Sequence, residues 1–159
     1  LTSVSAGAAM HEVIQELRPL ATAYGATINF DASPNLDPVY AHKTSLKGSV
    51  FALLAGVITS STNGAAPQIT LAVQQTKPNE QRIGVYSDTT QITLSLMKQR
   101  SYRRTARMAN SDISHRSGLG FLVSQLLAER LDTSYTSFAH RQSQGIGFYL
   151  PESAQLTLV

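Results

Sequence analysis

The residues best suited to chemistry fall in one stretch, Arg116-Ser117-Gly118-Leu119-Gly120-Phe121. After the glycines, Phe121, Leu122, Val123, Leu126, Leu127 and Leu131 recur at helical spacing, with Ser124, Gln125, Glu129 and Arg130 on the other side. The pattern predicts a glycine-rich turn that opens an amphipathic helix. Such a turn suits an anion, because unpaired backbone N–H groups and the positive end of the helix dipole point the same way. The alternative is that Gly118 and Gly120 serve only close helix packing or a positive φ. A second concentration of chemistry overlaps it. Residues 98–116 hold Lys98, Arg100, Arg103, Arg104, Arg107 and Arg116 against the one acid Asp112, whereas the whole chain carries only +3. These side chains, around Tyr102, have three readings: a lid that neutralises phosphates, a nucleic-acid surface, or a solvated face that docks a partner. A single basic loop on a weakly charged domain argues against nucleic acid.

Other chemistries lack their residues. There is no cysteine, which excludes disulfides, thiol catalysis and cysteine-ligated zinc. His11, His42, His115 and His140 are scattered without metal-ligand spacing. No Walker-type glycine-lysine loop and no nucleophile motif is present. His11-Glu12 has the histidine-acid pair of a phosphoacceptor helix, but the Ser/Thr/Asn-Pro that should follow is missing. It reads as an exposed histidine on a packing helix.

The elements that must position these residues follow from periodicity. Ala8 to Tyr24 reads as a helix stopped by Gly25, with Met10, Val13, Ile14, Leu17, Leu20 and Ala21 on one face. Thr27–Phe30 and Pro38–Ala41 read as short strands around a loop from Asp31 to Pro38. A long helix is expected from Lys43 to Thr59, then a turn at Asn63-Gly64. Ile69–Val73 and Arg82–Tyr86 read as a hairpin closed by Lys77-Pro78-Asn79-Glu80. Residues 88–116 form a long polar connection, in which Ile92–Lys98 has room for a helical turn or two. Two more strands are expected at Ser134–Ala139 and Gly145–Leu150, and Gln155–Val159 is an edge strand or a tail. The 159 residues, 42% hydrophobic, suit a single domain, residues 1–159, and no apolar run approaches the roughly 18 residues of a membrane span. The order of elements gives an α/β fold, a two-layer sandwich with helices on one face of a mixed sheet.

From residue 8 to 152 this order and these motifs resemble the ATP-binding catalytic domain of sensor histidine kinases, a Bergerat-type fold of the GHKL superfamily. Arg18-Pro19-Leu20-Ala21, before the first strand, resembles that family's entry helix, and Val39 leading to Leu46, Leu53 and Leu54 follows the spacing of its N-box helix. Asp88 stands where the first glycine box has its aspartate, and Ser117-Gly118-Leu119-Gly120 matches the second box. Gly145 to Leu150-Pro151 is similar to the terminal strand. The resemblance implies a nucleotide site at Asp88, Arg116, Gly118, Leu119 and Gly120, with ATP and Mg²⁺ as cofactors.

The chain departs from the pattern where the family's chemistry sits. The N-box asparagine that helps hold Mg²⁺, and the polar residue one turn before it, fall on Gly56 and Ala52, which offer no ligand. Both glycines of the first box are replaced, by Thr90 and Ile92, which add side chains where the pocket needs room. Arg116 replaces the first glycine of the second box and either contacts a phosphate or plugs the site. Asp132-Thr133 fills the place of a Gly-Gly pair after the helix. Two functions are therefore expected. The first is a degenerate, pseudokinase-like domain with weak or no ATP binding, the cytoplasmic C-terminal part of a longer signalling protein without membrane contact of its own. The alternative is an active catalytic domain that binds ATP and Mg²⁺ and phosphorylates a histidine on a separate dimerisation segment. The implied partners are that phosphoacceptor segment or a response regulator-like protein.

Overall fold

A computed structural model describes residues 1–59, 66–87, 92, 112–140 and 143–153, with backbone alone for 112–119 and 140. Strand β1 (Thr2–Val4) leads into helix α1 (Ala6–Tyr24). Ser5 caps α1 by accepting a hydrogen bond from the Ala8 N–H, and Gly25 ends it in the left-handed region at φ 68°. Strands β2 (Thr27–Ala32) and β3 (Val39–Ala41), helix α2 (Lys43–Thr59) and the hairpin β4 (Gln68–Lys77) and β5 (Glu80–Ser87) follow. Helix α3 (Asp112–Glu129) precedes a second hairpin, β6 (Thr136–His140) and β7 (Ser143–Pro151).

The main sheet has the order β2-β4-β5-β7-β6. β2 runs parallel to β4 in the register Thr27 to Gln68, and the other pairs are antiparallel. A parallel pair needs a crossover, and α2 lies in it, which sets α2 against the sheet. β1 and β3 form a small antiparallel sheet of their own, Val4 opposite Val39.

Alternation decides which sheet face is dry. Ile69, Leu71 and Val73 of β4, Ile83 and Val85 of β5, and Ile146, Phe148 and Leu150 of β7 are buried in one core. Met10, Val13, Ile14 and Leu17 of α1 and Leu46, Val50, Leu53, Leu54 and Val57 of α2 belong to the same core. The expected two-layer arrangement is thus the observed one. The strands run longer than the alternation suggests: β2 continues through Asp31 and Ala32, and β4 continues to Lys77, because backbone pairing goes on past the last apolar residue. The hairpin turn narrows to Pro78-Asn79, with Asn79 at φ 74°.

Helix α3 corrects one expectation. It begins at Asp112, so Arg116, Gly118, Leu119 and Gly120 lie within the helix and not in a turn before it. An α-helix leaves only its first four N–H groups unpaired, so the N–H groups of Gly118 to Gly120 are not free donors. A glycine inside a helix costs about 1 kcal/mol relative to alanine, and it persists where packing needs it. At Gly120, packing does.

Candidate functional site

The family resemblance places its site between the N-box helix and the second glycine box, which are α2 and α3. These helices meet through small residues. A Cβ built on Gly120 would stand 2.9 Å from the Ala52 carbonyl oxygen and 3.4 Å from the Gly56 Cα and N. The backbone of α3 therefore lies on the backbone of α2, and no side chain larger than hydrogen fits at 120. One residue on, the Phe121 ring covers Gly56. A Cβ at 56 would meet its Cε1 at 3.0 Å, Cδ1 at 3.1 Å and Cζ at 3.3 Å. Gly56 is buried and Phe121 is only 3% exposed. Towards the start of α2, Gly48 would meet Leu127 Cδ1 at 2.9 Å. Gly48, Ala52 and Gly56 stand four residues apart and so share one helical face, as do Gly120 and Ser124 on the partner helix.

A buried hydrogen-bond triangle locks the pair to the sheet. Ser49 Oγ donates to the Ser124 carbonyl at 2.8 Å. Ser124 Oγ donates to the Tyr135 hydroxyl at 2.8 Å, and the Tyr135 hydroxyl lies 2.8 Å from Ser49 Oγ. Because the Ser49 proton is committed to the carbonyl, Tyr135 is the donor to Ser49, and all three hydroxyl protons are used. Ser49 and Ser124 have no exposed surface, and the Tyr135 ring stands edge-on to Phe148 at 5.1 Å. Burial pushes the Tyr135 hydroxyl up to about 12, against the pull of its bonds to Ser124 and Ser49. The triangle holds Tyr135 neutral as a strut between α2, α3 and β7.

Of the residues named from sequence, Gly120, Ala52 and Gly56 come together. Gly120 does so by helix packing, the alternative that the glycine pattern left open. Arg116, Gly118 and Leu119 have helical backbone, and their side chains lie outside the described residues, as do Asp88 and Thr90 altogether. Ile92 is 4% exposed and belongs to the main core. His11 is exposed on α1, with Phe30 at 6.3 Å, as expected of a histidine on a packing helix. Sequence reasoning missed the Ser49–Ser124–Tyr135 triangle. The one signal for it was the line of small residues at four-residue spacing in an otherwise apolar α2. Among the described residues no group of three metal-ligating side chains gathers, and none of their helices is long and apolar enough to cross a membrane.

No family model and no curated protein matches the sequence. Solved structures do match. The nucleotide-free catalytic domain of the histidine kinase ThkA aligns at a TM-score of 0.70 with 14% identity, over 95% of each chain. Full-length ShkA in complex with AMPPNP aligns at 0.69 with 14% identity, over 96% of this chain and 32% of that one. ThkA in complex with the response regulator TrrA aligns at 0.67 with 13% identity, over 97% of this chain and 42% of that one. The chain therefore has the fold of histidine kinase catalytic domains, over nearly its whole length.

Proposed function

We propose that this chain is a histidine kinase-like domain whose nucleotide site is occupied by its own packing, a pseudokinase-type module with weak or no ATP binding. The observation that carries the reading is the Phe121 ring against Gly56, at the position that the resemblance gives to the metal-binding asparagine. Gly56 and Ala52 present no ligand atom beyond the backbone, and the Ala52 carbonyl is turned to the Gly120 contact. These residues do not fit a Mg²⁺ ion, which takes several oxygen ligands in near-octahedral geometry. Phosphoryl transfer depends on positioning and charge neutralisation, so the loss of the metal ligand and of the space beside it acts on the same step. Ile92 in the core supports the same reading, since it takes up room where the family has a glycine.

The domain then works as a contact surface in a two-component-type signalling protein. It docks a response regulator-like protein or a dimerisation segment. That ThkA is solved with a response regulator supports this class of partner. Titration calorimetry with a non-hydrolysable ATP analogue, with and without Mg²⁺, tests the proposal. No heat at millimolar nucleotide is expected. Low-micromolar binding that strengthens with Mg²⁺ and is lost in Asp88→Ala would overturn it in favour of an active catalytic domain.

A further inference from the structure

In a two-layer domain, the side of a helix turned away from the sheet is normally polar. Helix α1 obeys this, with His11, Gln15, Arg18 and Thr22 exposed. Helices α2 and α3 do not. Phe51 on α2 is 37% exposed, and Val123 and Leu126 on α3 are 37% and 51% exposed. These are three of the six large apolar side chains that stand so far out among the described residues, so exposed apolar surface gathers here. The two backbones touch at Gly120 and Ala52, and the outward sides of the helices therefore join in one surface. Ala52, Ala55 and Leu127 are half-buried, and none of these six residues is charged. We propose that this face binds a second copy of the chain about a two-fold axis.

Shape, charge and size select that occupant. A hollow of about 360 Å³ lies beside Phe51, lined also by Glu16, Lys43, Thr44, Lys47 and Gly48. Leu126 stands next to Leu127, whose Cδ1 lies 2.9 Å from where a Cβ on Gly48 would be. An exposed knob and an open hollow thus sit side by side on one surface. A two-fold axis between them seats Leu126 of each copy in the hollow of the other, the reciprocal contact of an isologous interface. The hollow is wide enough for a leucine side chain.

The rim offers no charge for a foreign partner to read. Lys47 lies 2.9 Å from Glu12 and 3.0 Å from Glu16, and Lys43 lies 3.6 Å from Glu12. The two lysines are matched by two acids of the same chain, so two copies meet here without net repulsion. The area suffices for a weak dimer. Helices of 17 and 18 residues are each about 25 Å long and about 10 Å wide, a footprint of roughly 500 Å² per copy. The total of roughly 1,000 Å² is at the low end for specific interfaces, and an affinity in the micromolar range fits it. This face is separate from the buried contact of Phe121 with Gly56, and the inference does not depend on the state of the nucleotide site.

Sedimentation equilibrium on the intact chain, up to about 1 mM, tests the proposal. A monomer–dimer equilibrium is expected. Leu126→Glu removes the knob and Thr44→Trp fills the hollow. Each should weaken the dimer at least about tenfold while Tm moves by no more than a few degrees, because both residues are exposed. If Leu126→Glu lowers Tm further, Val123→Glu replaces it. The two variants mixed should associate at least about threefold more tightly than either alone, since the mixed pair regains one of its two knob-and-hollow contacts. A chain that stays monomeric at about 1 mM, as it would if a different protein or a lipid surface covers this face, overturns the proposal. So does a dimer that both variants leave intact, or a mixture that associates no more tightly than its parts.

Discussion

Gly56→Asn restores the residue that the resemblance expects, and the structure assigns it a cost. The new Cβ lands 3.0–3.3 Å from three carbons of the Phe121 ring. Phe121 is 3% exposed, so it has little room to yield. Overpacking of this kind costs about 1–3 kcal/mol. The amide is then buried against an aromatic ring, which costs about another 1–3 kcal/mol without a partner. Replacing a helical glycine by asparagine returns only about 0.3 kcal/mol. The net loss is about 2–5 kcal/mol. With an m-value of about 2 kcal/mol/M, the urea midpoint falls by about 1–2.5 M. The cycle with Phe121→Ala isolates the cause. Phe121→Ala alone should cost about 3–5 kcal/mol, and Gly56→Asn should then cost about 1–3 kcal/mol less than in the parent chain. The reasoning is refuted if Gly56→Asn changes stability by less than about 0.5 kcal/mol, or if the two changes are additive.

Three further outcomes follow from the same contacts. Gly120→Ala should destabilise by about 1–3 kcal/mol, although alanine is favoured in helices by about 1 kcal/mol, because its Cβ meets backbone that cannot rotate away; urea unfolding reads the sign. Tyr135→Phe breaks the hydroxyl triangle and should cost about 1–3 kcal/mol at neutral pH, measured by denaturant unfolding. The Tyr135 hydroxyl is raised in the folded state to about 12, from about 10 unfolded, so its contribution is whole below pH 10 and is lost as pH rises to 12. Stability should fall by about 3 kcal/mol across that window, and Tyr135→Phe should lack this part of the decline.

Much of the fold could be read from local pattern. Lys43–Thr59 is the same helix in sequence and structure, because its ends are set by polar residues and its middle is apolar nearly all round. Gly25 ends α1 as its position implies. The two hairpins are where alternation and turn residues put them, within a few residues. What escaped is short or non-local. β1 has only three residues and owes its form to pairing with β3, 37 residues away. The start of α3 was hidden because Gly118 and Gly120 read as a turn, and only the contact with Ala52 and Gly56 explains a glycine inside that helix. The Ser49–Ser124 bond spans 75 residues, which no periodicity reports.

The candidate site was legible in part. The absence of a ligand at Ala52 and Gly56 follows from residue type alone. That Phe121 fills the space beside Gly56 does not, since Phe121 reads from sequence only as one more apolar residue on its helix. Asp132 shows a related limit. It stands where the resemblance expects a glycine, and it adopts a left-handed φ of 55°, a region that glycine favours. Aspartate tolerates that region better than most side chains, which is why the substitution does not break the turn after α3.

The most direct test of the central claim reads the distance between the Phe121 ring and the Gly56 Hα by nuclear Overhauser effect, with and without saturating ATP analogue and Mg²⁺. The account predicts a strong effect that does not change when nucleotide is added. An effect that disappears with nucleotide, as the ring leaves and the space beside Gly56 opens, would contradict it.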